Sequence, residues 1–100
     1  MIRTTITASV HLLATNDGGR TGPLRSGYRS LLRFEGTDVD LGFELELHPE
    51  MNANELAPGA SGTARLSFWA TEQLPTMLAG QRFEIREGTR VVGRGSVAEP

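Results

Sequence analysis

At 100 residues the chain suits one compact domain, residues 1–100, and leaves no room for two. Its 38% apolar content excludes a disordered chain, no apolar run reaches membrane-spanning length, and the absence of cysteine excludes disulfides and thiolate metal sites. A net charge of −2 argues against a general nucleic-acid binder.

The charge is unevenly spread. Arg20, Arg25, Arg29 and Arg33 form a stretch without an acid. Residues 35–55 then hold seven acids and no arginine or lysine, and Arg82, Arg86, Arg90 and Arg94 restore positive charge near the end. The cationic residues are all Arg and none is Lys, a bias that genomic base composition explains best, although Arg also suits bidentate contacts to carboxylate or phosphate. The N-terminal MIRTTITASVHLLAT is Thr-rich and alternating and lacks the apolar core of a signal peptide, so a cytoplasmic protein is expected.

The first strand is predicted over residues 4–14, with Ala8, Val10 and Leu12 on one face. TNDGGRTGP follows, a loop dense in turn residues. A second strand is predicted over 28–34 and a third over 39–47. In the third, Phe43, Leu45 and Leu47 alternate with Glu44 and Glu46, the pattern of a half-buried strand. HPEMNANELAPGAS is a long loop whose Leu56 and Pro58 are expected to fold back as a lid on a barrel end. The fourth strand, 63–70, turns Ala64, Leu66 and Phe68 inward and Arg65 and Ser67 outward. One short helical turn is expected around Leu74 to Leu78, with Pro75 and Gly80 preventing a longer helix. The last two strands, 81–86 and 90–98, are joined through Glu87-Gly88-Thr89. Gly93 and Gly95 share a face of the final strand, where glycine marks a bulge, a bend or a close backbone approach. Short strands divided by Gly and Pro turns specify an all-β sandwich or barrel, and closure removes exposed strand edges.

Catalytic chemistry is not encoded in any pattern of these residues. His11 faces opposite to Val10 and Leu12, as an exposed strand residue does. His48, Glu50 and Glu55 do not have the spacing of a metal site, and Glu44 and Glu46 read as an outward polar row. No nucleophile, base and orienting group can be named together, so no catalytic residue, metal or cofactor is expected.

Three stretches carry a family resemblance. They are DGGRTGPLRSGYRSLLRFEGTDVDLGFEL (residues 17–45), LAPGA (residues 56–60), and QRFEIREGTRVVGRGSV (residues 81–97). Their turns and strands resemble, in order and over nearly the whole chain, the C-terminal (third) domain of elongation factor Tu. The resemblance implies a single closed antiparallel six-stranded β-barrel. No Gly-x-x-x-x-Gly-Lys-Ser/Thr phosphate loop is present, and there is no lysine to supply one, so a stand-alone, non-enzymatic barrel without a GTPase domain is expected.

In that family the barrel packs on its neighbouring domains, meets the exchange factor and touches the T-stem of aminoacyl-tRNA. The resemblance therefore implies candidate RNA contacts at Arg20, Arg29, Glu87 and Gly88. Thr21 stands where His is usual, Leu31 where Gln is usual, and Asp40 where a Thr lies near the RNA. A carboxylate at Asp40 is repulsive towards phosphate. Structural roles explain the same residues. Gly18 and Gly19 permit a tight turn with positive φ, the Tyr28 ring plugs a barrel end with its hydroxyl on backbone, and Glu87-Gly88-Thr89 is a good hairpin turn.

The leading expectation is a binding module that engages a protein partner through the former interdomain surface. Leu31, Trp69, Met77 and Leu78 are its candidate contacts, because Trp69 is out of step with Leu66 and Phe68 and so faces outward, unless the loop at 71–80 covers it. The alternative is weak, salt-dependent binding of tRNA or an RNA stem along Arg20, Arg25, Arg29 and Glu87-Gly88. Homo-oligomerisation is compatible with either, and no membrane partner is expected.

Overall fold

A computed structural model describes residues 4–49, 54–69 and 75–100. Eight strands follow in order: β1 (Thr4–Leu12), β2 (Leu24–Arg25), β3 (Tyr28–Phe34), β4 (Leu41–Leu47), β5 (Glu55–Leu56), β6 (Ser61–Phe68), β7 (Arg82–Glu87) and β8 (Arg90–Glu99). Six of them close an antiparallel barrel in the order β1-β6-β4-β3-β7-β8, and β2 and β5 form a separate two-stranded ribbon. This is the six-stranded barrel expected.

Alternation builds the wall. β1, β4 and β6 turn every second side chain inward, so Ile6, Ala8, Val10 and Leu12 of β1 meet Leu41, Phe43, Leu45 and Leu47 of β4 and Ala64, Leu66 and Phe68 of β6 in one core. All four phenylalanines are buried there. Phe34 packs edge-on to Phe83 at 5.9 Å between ring centroids, and Phe68 lies 6.3 Å from Phe34 and 6.4 Å from Phe43.

Several boundaries differ from expectation for local reasons. β1 stops at Leu12 because the next residues leave the sheet. The Leu13 N–H donates to the Val92 carbonyl at 3.0 Å, and a 3-10 turn runs over Thr15–Asp17. β4 begins at Leu41 rather than at 39, where Val39 is exposed and Asp40 is drawn to Arg33 at 2.9 Å. β6 starts earlier, at Ser61, and the predicted end at Ala70 lies outside the described residues. Leu74, the start of the expected helical turn, also lies outside them, and residues 75–78 belong to no helix.

The lid is a ribbon rather than a loop. Leu24 pairs with Leu56 and Arg25 with Glu55, which places both leucines in the core while Pro58 stays half-buried. The two glycines of β8 serve distinct ends. Beside Gly93 the register against β7 shifts, so that Arg86 faces Val91 and Val92 is the extra residue of a bulge. Gly95 admits the Phe83 ring: a Cβ there would stand 2.6 Å from Phe83 Cζ and 2.4 Å from the Ser9 carbonyl oxygen.

Candidate functional site

The sequence candidates gather into two clusters. The first joins the loop before β2, the start of β3 and the tip of the β7–β8 hairpin. Arg20 Nη1 lies 2.6 Å from Glu87 Oε2, and the Tyr28 hydroxyl donates to the same oxygen at 2.7 Å. The Arg20 guanidinium also stacks over the Tyr28 ring, 4.9 Å from its centroid. Backbone contacts hold Arg20 in place. The Thr15 hydroxyl donates to the Arg20 carbonyl at 2.6 Å, and Arg20 Nε donates to the Gly22 carbonyl at 3.3 Å.

The glycines ahead of Arg20 have different roles. Gly18 has φ +89°, as a tight turn requires. Gly19 does not share that conformation. It is needed because a Cβ would stand 2.2 Å from the Leu13 carbonyl oxygen. Gly88, at φ +63°, makes the hairpin turn beside Glu87. The Tyr28 ring does plug the barrel, edge-on to Phe43 at 6.2 Å, but its hydroxyl meets the Glu87 carboxylate rather than backbone. Burial, and then the Glu87 carboxylate, push the Tyr28 phenol above its ordinary value, while Ser30 and Arg20 pull the other way. A cleft of about 390 Å³ opens alongside, lined by Arg20, Pro23, Arg25, Ser26 and Tyr28.

The second cluster lies on the outer wall across β3, β4 and β6. Leu31 of β3 is the register partner of Gly42 of β4. Trp69, directly after β6, lies over the other side of the same glycine, with Cε3 3.5 Å from where a Cβ would stand. A Cβ at 42 would stand in van der Waals contact with the indole, and atoms beyond it would compete with the ring for the same space. Arg29 crosses to this cluster: its Nε donates to Glu44 Oε1 at 2.9 Å, and its guanidinium sits 5.3 Å from the Trp69 ring centroid. Leu31 and Trp69 are both half-buried.

The remaining candidates lie elsewhere. Met77 packs against the core, and Leu78 beside it is 64% exposed. Asp40 is neutralised locally, because the Arg33 guanidinium, bonded to it at 2.9 Å, holds its carboxyl below the usual range. His11 is exposed and bonds the Ser61 hydroxyl through Nδ1 at 2.8 Å. Among the described residues no group of three His, Asp or Glu converges as metal ligands, and Glu50 lies outside them. No helix is long and apolar enough to cross a membrane among those residues.

The closed six-stranded barrel agrees with comparison by sequence. The family model of the elongation factor Tu C-terminal domain matches residues 2–99. The chain belongs to the elongation factor Tu C-terminal domain family. Within that factor the barrel is a non-catalytic part, and the present clusters fit that character. Among the described residues, Arg20 pairs with Glu87 in the first cluster and Arg29 with Glu44 in the second.

Sequence reasoning missed two of the residues that build these clusters. Tyr28 read as a plug, whereas it also holds Glu87. Gly42 drew no attention, yet it seats Trp69. The signal for Gly42 was a glycine at an outward position within an otherwise regular strand.

Proposed function

We propose that this elongation factor Tu-like barrel is a cytoplasmic, non-enzymatic binding module that engages a protein partner through the outer wall formed by Leu31, Gly42 and Trp69. One observation carries this reading. A large aromatic ring lies against a glycine of the sheet wall, with a leucine as that glycine's register partner and an Arg–Glu pair beside it. An aromatic anchor with an apolar neighbour and a polar rim is the anatomy of an interface hot spot.

The experiment is a tagged pull-down from native lysate with RNase present, using the wild-type protein and Trp69→Ser. The reading predicts one protein recovered in constant ratio by the wild type and lost with Trp69→Ser. Equal recovery by both removes the support for this surface.

A second reading, an RNA-stem edge, is favoured by the gathering of Arg20, Glu87 and Gly88, and by the ion pair that neutralises Asp40. It predicts RNA in the pull-down without RNase, lost at moderate salt and with Arg20→Gln.

A further inference from the structure

A groove of about 520 Å³ lies apart from both clusters, over β3, β7 and β8. Its lining includes Arg33, Glu35, Arg82, Glu84 and Arg94. The barrel register sets their arrangement. Arg33 faces Glu84, Glu84 faces Arg94, and the Glu35 N–H donates to the Arg82 carbonyl at 2.9 Å. Arg82 and Arg94 are therefore diagonal neighbours on the outer face of β7 and β8, where spacings of about 7–8 Å let long side chains meet.

Arg33 is already bonded to Asp40. Among the described residues, Arg82 and Arg94 enter no ion pair, although both stand exposed with two carboxylates in the same groove. Two exposed guanidiniums at diagonal positions repel one another weakly, and a carboxylate bound between them would accept from both. The two glutamates disfavour a dense anion such as phosphate. A single carboxylate flanked by N–H donors satisfies both signs at once.

We propose that this groove binds a peptide carboxylate, held between Arg82 and Arg94, with Glu35 and Glu84 accepting hydrogen bonds from neighbouring peptide N–H groups. The carboxylate belongs either to a free peptide terminus or to an acidic side group within the peptide. The volume suits a short peptide segment.

The test is an amide and Arg Nε–H NMR titration of the full-length protein. The probes are acetyl-Gly-Gly-Gly with a free C-terminus, acetyl-Gly-Glu-Gly amide, acetyl-Gly-Gln-Gly amide and inorganic phosphate. Saturable shifts at Arg82, Arg94 and Gly95 are expected with one or both carboxylate peptides, and which of the two binds identifies the source. The double variant Arg82→Gln, Arg94→Gln is expected to bind about tenfold more weakly or worse. Glu84→Gln keeps both guanidiniums but exchanges a charged acceptor for a neutral one, and is expected to weaken binding by less than the double variant does, so the outcome does not rest on one variant's folding. Trp69→Ser is expected to leave the titration unchanged, which separates this site from the outer-wall interface. Equal shifts with the glutamine peptide, equal or tighter binding of phosphate, or unchanged binding in the double variant would overturn the proposal.

Discussion

The Tyr28 phenol donates to Glu87 Oε2 at 2.7 Å across 59 residues of sequence, tying the first residue of β3 to the last of β7. The Arg20 guanidinium meets the same oxygen, so one carboxylate holds a loop, a strand and a hairpin tip together. Tyr28→Phe keeps the ring that plugs the barrel and removes only the donor. It is expected to cost about 1.5 kcal/mol in urea denaturation, the low end for a hydrogen bond to a charged acceptor, because Glu87 keeps Arg20 as a partner.

The same bond predicts a pH dependence. The Tyr28 phenol is pushed up from its ordinary value, first by burial and then by Glu87. Between the unfolded and folded values the native state holds the proton that the unfolded state has lost. The stabilisation is therefore complete below pH about 10 and is lost as pH rises through the folded value. Tyr28 is the only tyrosine, so its ultraviolet titration reads this one group. Glu87→Gln is expected to move that titration downward, with the burial contribution remaining.

Gly95→Ala is expected to destabilise the barrel by about 2 kcal/mol or more, because the added Cβ meets Phe83 Cζ at 2.6 Å and the Ser9 carbonyl at 2.4 Å. Gly22→Ala is the control, since nothing lies within 4 Å of its Cβ position and its φ is not positive. Adding Phe83→Leu to Gly95→Ala is expected to recover only part of the loss, because the clash with backbone remains. Chemical denaturation of the three variants checks all of these.

The ribbon lid carries its own prediction. Leu24 is 0% and Leu56 3% exposed, and each belongs to a two-residue strand. Truncating either to Ala is expected to cost about 3 kcal/mol by leaving a cavity under the lid. Hydrogen exchange around the lid is expected to speed up in both variants before that of β6 does.

The barrel strands were largely legible because inward and outward positions alternate over most of their length, the bulge in β8 being the exception. In β4, for example, Phe43, Leu45 and Leu47 are buried around the less buried Glu44 and Glu46. The ribbon was not legible, since two residues are too few to show a period, and only Leu56 and Pro58 signalled a lid. The clusters were half legible. Arg20 and Glu87 stand out as turn residues, but their meeting depends on how the barrel closes and on the bulge at Val92, and neither has a periodic signature. Arg29 was grouped with Arg20, whereas the outward face of β3 directs it to Glu44 and Trp69.

The proposed function stands or falls on whether the Trp69 face meets a protein. Trp69 is the only tryptophan, so its fluorescence reports on that face alone. The decisive measurement is iodide quenching and emission of Trp69 in the free protein and in the complex recovered by pull-down, with a tryptophan-free or fluorotryptophan-labelled partner. A blue shift and at least about threefold weaker quenching are expected in the complex, as burial at an interface core requires. A complex that forms with emission and quenching unchanged would contradict the proposal and place the partner on another face of the barrel.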